Sequence, residues 1–357
     1  MKILFITGHK YFPQTYGGVQ SSTDQLCRSL MQRGHQVAVL AGFMHGGWFA
    51  FKARLKIKAN QALHHCGVAR DFSLGYPVWR AWFPWDAVAY VAQQEKPDLI
   101  VVLSGLIARM GLAAKVLDIP KIYHLHDVAF YEHGGAFEEL GPVTCIANSQ
   151  FTADKYRKAY GVNPTVIYPF VALEKYRTDS SRKNITFINP HPEKGRDIAI
   201  KIAQLCPDIP FVFVEGWKLS DEARDELTQK LSALPNVKFV SSQTDMRRIF
   251  GTCKILLAPS MVEEAFGRVA TEAHASGIPV IASNRGGLPE AVGSGGILLD
   301  PEAPIEGWIN AVRQLWSDRT SYAQLSAAAL NYAQRPEMNF EHQMNAYEQA
   351  FSSAIKK

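Results

Sequence analysis

The sequence predicts an α/β protein with parallel sheets. The strongest observation is a βαβ pattern, with an apolar run at Lys254–Pro259, a helical segment at Arg268–Ser276 and a second apolar run at Ile278–Ala282. A second βαβ pattern opens the chain, with strands at Ile3–Thr7 and Gln36–Ala41. Because 357 residues of which 47% are hydrophobic can build two cores, we expect two such domains.

The remaining predicted elements continue the alternation of strand and helix. In the first half they are a helix at Ser21–Arg33, strands at Asp98–Leu103, Lys121–Leu125 and Cys145–Ser149, and a helix at Ile107–Leu117. In the second half they are strands at Ile185–Asn189, Phe211–Glu215 and Val237–Val240, a helix that follows Ser241-Ser242-Gln243 and ends at Phe250, and helices at Ile305–Trp316 and Tyr322–Arg335. The polar stretch Glu174–Asn184 is expected to be the linker between the halves.

Composition and signals exclude several classes of protein. The amino terminus carries no basic leader or small-residue cleavage site, so we expect no export and a cytoplasmic location. Five scattered cysteines without a C-x-x-C spacing favour reduced thiols. No third ligand accompanies His124 and His126 at a recognisable spacing, so we expect no metal. No nucleic-acid-binding motif occurs, and nucleic acid is not an expected partner.

The loop between Pro259 and Arg268 has the composition of a binding site for an anion. In a βαβ unit the helix begins at the carboxyl edge of the sheet, where its N–H groups attract anions. Gly267 lets the backbone approach a ligand, and Arg268 adds a cation. Glu264 and Glu272 place carboxylates on either side, and a carboxylate can accept two vicinal hydroxyls of a ribose. A nucleoside diphosphate fits these groups.

These residues stand in a recognisable order. Glu264 and Glu272 have an E-x7-E spacing, Phe266-Gly267 lies between them, and Gly286-Gly287 follows the next strand. The segment resembles the donor site of retaining family-4 glycosyltransferases of the GT-B fold. The resemblance covers nearly the whole chain and includes the glycine pair near the amino terminus, Gly17-Gly18.

The resemblance implies two Rossmann-like, doubly wound domains that face each other across a cleft. The first, residues 1–175 with a C-terminal helix at 339–357 that crosses back, would bind the acceptor. The second, residues 176–338, would bind a nucleotide diphosphate sugar. The implied reaction transfers a glycosyl group to an acceptor hydroxyl with retention and without metal, in the assembly of a cell-envelope polysaccharide, lipopolysaccharide or glycolipid.

The resemblance also assigns residue roles. Glu264 would orient the sugar, Lys194 would grip the diphosphate, and Glu272 would hold the ribose. His126 would line the sugar pocket, with His124 as the rival for that role and a core histidine as the alternative. The other expected donor-binding residues are Gly17, Gly18, Asn189, Phe266, Gly267 and Arg268. For Gly17 and Gly18, the alternative is a turn that requires positive φ.

The sequence departs from the family pattern at Asn189, where relatives commonly carry an arginine. One phosphate counterion is therefore missing, and we expect Arg268 or Arg196 to supply it. Three rival functions keep the same fold: a phosphorylase, a sugar-nucleotide epimerase, and an inactive donor-binding partner in a polysaccharide assembly complex.

The net charge of +5 is unevenly distributed. Residues 1–170 hold 17 Lys and Arg against 11 Asp and Glu, or +6, and the remainder holds 21 against 22, or −1. The excess indicates an anionic partner such as a membrane surface or a lipid-linked acceptor, the alternative being a solvated basic face.

The densest cluster of cations is a basic segment, residues 48–65, that contains Lys52, Arg54, Lys56 and Lys58. Its apolar residues fit a strand alternation and also a helical stripe of Phe51, Leu55, Ala59, Ala62 and Leu63. We favour an amphipathic helix, with Trp48, Phe49 and Phe51 as an apolar edge. It would border the acceptor site or lie on the inner face of a membrane. An aromatic cluster at Trp79–Trp85 is interpreted as helix-packing core or as an acceptor wall.

Overall fold

The chain folds into two compact units. The computed structural model describes residues 1–217 and 219–356, and at 47 and 48 it describes the backbone only. The first unit contains Met1–Phe170 and Phe340–Lys357, and the second contains Val171–Asn339. The sequence placed these boundaries at 175 and 339. The first unit ends five residues earlier than expected, and the predicted linker is held to the second unit, where the Ser180 hydroxyl donates to the Cys253 carbonyl at 2.5 Å.

The first unit is built on an eight-stranded sheet of described residues. Its elements in chain order are β1 (Lys2–Lys10), α1 (Gly18–Gln32), β2 (Gln36–Gly42), α2 (Gly47–His64), β3 (Val68–Asp71), β4 (Val78–Ala81), α3 (Pro84–Glu95), β5 (Leu99–Leu103), α4 (Ile107–Lys115), β6 (Lys121–Leu125), β7 (Cys145–Ala147), α5 (Gln150–Tyr160) and β8 (Thr165–Val166). The strand order is β3-β4-β2-β1-β5-β6-β7-β8, parallel except between β3 and β4.

The central strand β1 shows why the sheet forms. Leu4 and Ile6 point into one apolar core, and Ile3 and Phe5 point into a second core on the opposite face. A strand that is covered on both faces is apolar throughout, which is the pattern read from Ile3–Thr7.

The second unit is built on a six-stranded parallel sheet. Its elements are β9 (Asn184–Ile188), α6 (Arg196–Leu205), β10 (Phe211–Val214), α7 (Asp221–Ser232), β11 (Val237–Val240), α8 (Arg247–Phe250), β12 (Cys253–Ala258), α9 (Arg268–His274), β13 (Val280–Ser283), α10 (Leu288–Val292), β14 (Gly296–Leu299), α11 (Ile305–Ser317) and α12 (Arg319–Ala333). The strand order is β11-β10-β9-β12-β13-β14. Both predicted βαβ patterns are thereby confirmed.

The last helix, α13 (Phe340–Ile355), belongs to the first unit. Met344, Tyr347 and Phe351 enter the core that also contains Ile3 and Phe5. At the surface, Glu348 Oε1 accepts from the Arg33 guanidinium at 2.9 Å. The helix therefore covers one face of the first sheet, although the 169 residues of the second unit separate it from the rest of the first unit in sequence.

The basic segment is helical, as predicted, but its buried face differs from the apolar stripe that we identified. The structure buries Ala50, Ala53 and Ile57 in a small separate core with Phe43 and Ala69. Small side chains fit this contact, because α2 lies close to β3. Phe51 and Leu55 are exposed instead, at 48% and 56%. The expected edge residue Trp48 has a side chain outside the described part of the chain.

Other predictions need correction. The helix predicted between Gln243 and Phe250 is limited to Arg247–Phe250. Helix α1 begins at Gly18 rather than Ser21, because the Ser21 N–H already donates to the Gly17 carbonyl at 2.9 Å. In the aromatic cluster Trp79–Trp85, Trp79 of β4 lies in the core that contains Val88 and Val91 of α3, in agreement with the helix-packing interpretation. Within residues 1–217 and 219–356, the structure contains no helix both long and apolar enough to cross a membrane.

Candidate functional site

The switch point of the second sheet lies between β9 and β12. Strands β10 and β11 follow on one side of β9, and β12, β13 and β14 follow on the other. The loops that leave β9 and β12 therefore diverge and leave a crevice at the carboxyl edge, where open α/β sheets bind ligands. Lys194 comes from the loop after β9, and Glu264 comes from the loop after β12.

These two side chains meet across the switch point. Lys194 Nζ lies 3.1 Å from Glu264 Oε1. The ammonium group also lies 5.2 Å from the ring centroid of Trp217, within the range of a cation–π contact. Trp217 follows β10, and the sequence analysis assigned it no role. Its Gly216-Trp217 position directly after a strand was the available signal.

A second pair stands at the start of α9. Arg268 Nη2 lies 3.4 Å from Glu272 Oε1, one helical turn away, and 3.5 Å from the hydroxyl of Tyr176. We refer to Lys194, Glu264, Arg268 and Glu272 as the switch-point site. Their side chains are 11–18% exposed, so the site is largely desolvated but reachable by a ligand. It holds two cations and two carboxylates, each cation paired with one carboxylate.

Close backbone packing holds the two loops together. Gly195 has φ +81°, and a Cβ there would lie 1.9 Å from the Pro259 carbonyl oxygen. The Met261 N–H donates to the Glu193 carbonyl at 2.9 Å. A glycine is therefore required directly after Lys194, because only hydrogen fits against the neighbouring loop.

The loop that follows β13 also contacts the segment that carries Glu264. The Gly287 N–H donates to the Glu264 carbonyl at 2.6 Å, and a Cβ on Gly286 would lie 2.6 Å from the Glu264 nitrogen. Gly267 has φ +98° and begins α9. Phe266 was predicted as a donor-binding residue, but its side chain is 2% exposed and packs in the interior.

Asn189 and Arg196 have clear local roles. Asn189 adopts φ +64°, a region that asparagine tolerates better than most residues, and its Oδ1 accepts from the Trp217 N–H at 3.1 Å. It thus joins the loops after β9 and β10. Arg196 is 7% exposed and pairs with Asp197 at 3.3 Å and Glu226 at 3.2 Å. Of the two arginines expected to replace the missing phosphate ligand, only Arg268 belongs to the switch-point site.

In the first unit, Gly17 and Gly18 lie at the start of α1. Gly17 has φ −179°, an extended conformation open to any residue, and Gly18 is not among the residues with positive φ. The alternative of a turn that requires positive φ is therefore wrong. A Cβ at Gly17 would meet the end of the flexible Gln20 side chain, at 2.6 Å from Oε1.

His124 of β6 and His126, which directly follows that strand, differ in their surroundings. His124 is buried, and its Nε2 lies 3.3 Å from the Tyr347 hydroxyl of α13. Burial holds the pKa of His124 well below its usual range, and the neighbouring His126 lowers it further. His124 is therefore a core residue. His126 follows the strand, and its backbone N–H donates to Ser104 Oγ at 2.8 Å.

The first sheet has its own switch point, between β1 and β5, which sequence reasoning did not identify as chemically distinctive. His9, Ser104, His126 and Asp127 lie at this first-unit edge. Asp127 Oδ1 is buried without a hydrogen-bond partner among the described residues. Burial raises the pKa of Asp127 to about 6, with Glu132 adding to the rise and the Ser104 hydroxyl opposing it.

His9 shows the same desolvation. Burial lowers its pKa, and Glu132 partly compensates. The ring lies against Gly105, where a Cβ would be 2.3 Å from His9 Cδ2. The first-unit edge therefore favours uncharged forms of its acid and its imidazole, because desolvation penalises charge.

The basic residues of α2 are all exposed. Lys56 Nζ donates to the Arg70 carbonyl at 3.1 Å, and Lys52, Arg54 and Lys58 also face solvent. They lie in the first unit and do not belong to the switch-point site.

Solved structures share this architecture over its full length. HepE from Anabaena, solved in complex with UDP and glucose, is 24% identical, with a TM-score of 0.77 over 99% of this chain and 100% of that chain. Sucrose-phosphate synthase from Thermosynechococcus elongatus is 17% identical, with a TM-score of 0.76 over 99% of each chain. The fold is GT-B, as expected.

Two family models cover most of the sequence. Residues 16–175 match the model described as Glycosyltransferase Family 4, and residues 175–332 match the model described as Glycosyl transferases group 1. The chain therefore belongs to the family-4 glycosyltransferases that these two models describe.

Relatives with assigned names support the same class. D-inositol 3-phosphate glycosyltransferase from Rhodococcus opacus is 30% identical over 227 residues, which cover 55% of this chain and 50% of the relative. The enzyme of that name from Streptomyces bingchenggensis is 30% identical over 273 residues, or 63% and 60%. The matched segment thus spans about half to three fifths of these relatives.

Proposed function

We propose that this protein is a retaining glycosyltransferase that moves a sugar from a nucleotide diphosphate sugar to an acceptor hydroxyl without a metal ion. The observation that carries the proposal is the switch-point site. Two cations and two carboxylates stand at the crevice of the second sheet, and the Lys194–Glu264 pair joins the two loops that diverge there. A diphosphate requires cations, and a sugar and a ribose offer hydroxyls that carboxylates accept.

The proposed chemistry rests on exchange of partners. The diphosphate would displace Glu264 from Lys194 and Glu272 from Arg268, which frees both carboxylates for the donor's hydroxyls. As the glycosidic bond breaks, negative charge grows on the departing diphosphate. Lys194 and Arg268 would stabilise that charge in the transition state, which lowers the barrier. The leaving phosphate would take the acceptor proton, Glu264 would orient the sugar, and Glu272 would hold the ribose. A sugar-pocket role for His126 stays a prediction.

The first test is thermal unfolding of the protein with UDP, GDP, ADP and their sugar conjugates in the presence of EDTA. UDP-glucose is the first probe, because HepE was solved with UDP and glucose. A ligand that binds only the folded state stabilises it by about 2.7 kcal/mol at 100 times its dissociation constant. We expect one base to shift the transition and Glu272→Ala to abolish the shift. A shift that appears only with added metal would overturn the metal-independent part.

Analysis of the reaction products distinguishes the proposed transferase from an epimerase, a phosphorylase and an inactive partner. An epimerase would release an altered sugar nucleotide without an acceptor, and a phosphorylase would consume inorganic phosphate. Transfer to an acceptor with retained anomeric configuration supports the proposal. An inactive partner would bind the nucleotide and turn over none of it.

We further propose that the acceptor is a carbohydrate or a lipid-linked sugar of cell-envelope polysaccharide assembly, and that α2 contacts the cytoplasmic face of a membrane. Four exposed cations and exposed Phe51 and Leu55 support that contact. The names of the relatives make inositol 3-phosphate a second acceptor for assay.

Flotation with vesicles of phosphatidylglycerol and phosphatidylcholine tests the membrane contact. Neutralising Lys52, Arg54, Lys56 and Lys58 together should abolish binding. The matched control neutralises four exposed cations of the second unit: Lys201, Lys230, Lys238 and Arg248. Equal loss in both variants would mean that net charge alone causes the attraction.

A further inference from the structure

A surface groove of about 620 Å³ lies beside the carboxyl end of α2. The start of β3 and the turn between β4 and α3 form its other walls. Its apolar lining consists of Ile57, Ala62, Cys66, Trp82, Phe83 and Ala87. The volume falls within the range of about 300–1,000 Å³ that is typical of small-molecule sites.

The groove exists because the buried apolar face of α2 ends before the helix does, although Asn60 still donates to the Val68 carbonyl at 2.7 Å. Its buried residues Ala50, Ala53 and Ile57 span two turns and end at Ile57. The following residues 58–64 are exposed or partly exposed, and Leu63 is 73% exposed. The last turns of the helix therefore overhang the groove instead of filling it. On the far side, Phe83 is 60% exposed and adds apolar surface next to the groove.

The charges around the groove favour an anionic amphiphile. Helix α2 carries four cations and no carboxylate. One of them, Lys58, lines the groove. The single carboxylate in the lining, Asp86, stands in the first turn of α3, a position where the helix dipole favours an acid. Helix α2 thus places cations, which bind phosphate, next to the apolar lining of the groove.

We propose that this groove takes one acyl chain of an anionic membrane phospholipid while Lys58, which lines the groove, contacts its phosphate. The proposal rests on the proposed membrane contact of α2 and assigns it a specific site. Surface cations alone give weak, salt-sensitive attachment. A buried chain adds an apolar contribution that salt does not screen, since each buried methylene favours binding by about 0.8 kcal/mol.

Cys66 provides a direct readout of occupancy. It lines the groove at 9% exposure, whereas the other four cysteines are 0–3% exposed. Burial raises the pKa of the Cys66 thiol, so alkylation by iodoacetamide is measured at pH 9. The rate in Cys66→Ser gives the background from the remaining cysteines.

The first arm uses monomeric alkyl phosphates with chains of increasing length. Each added methylene should lower the concentration that half-protects Cys66 about fourfold, until the groove is full. Glycerol phosphate, which has the charge without the chain, should not protect. Protection that is independent of chain length, or equal protection by glycerol phosphate, would overturn the proposal.

The second arm blocks the groove. Ala62→Trp fills it from α2 and should abolish protection, whereas Ala59→Trp adds the same side chain at an exposed position outside the lining and should preserve it. Phosphatidylglycerol vesicles should protect Cys66 in wild type and in Ala59→Trp only. If alkyl phosphates protect and these vesicles do not, the groove takes free amphiphiles and the bilayer assignment is wrong.

The nucleotide-induced thermal shift and vesicle flotation are measured on the same variants. Ala62→Trp should leave the shift unchanged, because the switch-point site belongs to the second unit. If the protein floats with the vesicles but Cys66 stays reactive, the membrane contact of α2 is supported and the assignment of an acyl chain to the groove is wrong. If alkyl phosphates protect Cys66 as expected but no nucleotide shifts the thermal unfolding transition, the assignment of a nucleotide-sugar donor is wrong instead.

Discussion

The two switch points of this protein have the same topology and opposite electrostatics. In the second unit, Lys194, Glu264, Arg268 and Glu272 are charged and paired at 3.1 and 3.4 Å. At the first-unit edge, burial raises the pKa of Asp127 to about 6 and lowers the pKa of His9. One crevice pairs its acidic and basic side chains, and the other makes charge on Asp127 and His9 more costly by desolvation.

The difference shows that topology locates a crevice without deciding its chemistry. Paired charges in a partly exposed crevice can be exchanged for a charged ligand at little cost in desolvation. A carboxyl oxygen buried without a partner, as at Asp127, costs folding free energy. Such a cost is typical of positions retained for function.

The largest expected loss of stability comes from Gly195→Ala, which disrupts the close contact between the two loops of the switch-point site. The new Cβ would meet the Pro259 carbonyl at 1.9 Å in a residue at φ +81°. Left-handed strain and overpacking together should cost about 4 kcal/mol and abolish the nucleotide-induced thermal shift.

The matched control is Gly161→Ala. Gly161 has φ +67° and no neighbour within 4 Å of a Cβ. It should cost only the backbone strain, about 1 kcal/mol. Chemical denaturation of both variants gives the comparison, and equal losses would contradict the close-packing argument.

The next effect is a gain in stability from Asp127→Asn. The folded state holds the Asp127 proton up to about pH 6, against an ordinary pKa of 3.8, so stability falls as pH rises from about 4 to 6 and stays lower above it. Removing the charge should therefore stabilise the protein by about 3 kcal/mol at pH 7.5.

Urea denaturation at pH 4 and pH 7.5 measures this gain, which should vanish at pH 4. Asp245→Asn is the control of opposite sign. Arg247 lowers the pKa of Asp245 to about 2, so its pairing contributes stability at neutral pH that is lost on acidification. An Asp127→Asn variant with the wild-type profile would show that Asp127 is not desolvated.

A smaller effect, on catalysis rather than folding, is expected for Lys194→Ala. The loss of one charge-assisted stabiliser should raise the barrier by at least about 2 kcal/mol, or about thirtyfold in turnover. Lys201→Ala removes an exposed cation from α6, shortly after the same loop, and should leave turnover unchanged. Near-normal turnover in Lys194→Ala would refute the role of Lys194.

The smallest effect on stability is expected for Gly17→Ala, which brings the first unit into the comparison. Its extended backbone accepts alanine, and only the end of the Gln20 side chain, which donates to the Lys10 carbonyl, must move. Stability should fall by no more than about 1 kcal/mol, the cost of alanine at a helix N-cap. Reduced turnover with this stability would indicate ligand contact at Gly17; normal turnover would exclude it.

The sequence by itself determined the βαβ units, the glycine-bounded loops and the residues of the switch-point site. Its signals there are local. Apolar runs, helix stops and the E-x7-E spacing lie within short segments, and a parallel sheet brings the carboxyl ends of its strands to one edge. Lys194 was expected at the same site as Glu264 from the resemblance to family-4 glycosyltransferases, and the two side chains lie 3.1 Å apart.

Tertiary structure alone decided the remaining features. It turned the α2 helix to bury Ala53 and Ile57 instead of the Phe51–Leu55 stripe, and it placed Phe266 in the interior. It also gave Asn189 its contact with Trp217 and desolvated Asp127. The physical reason is that periodicity shows only that a segment has two faces, whereas burial and pairing depend on neighbours that are distant in sequence.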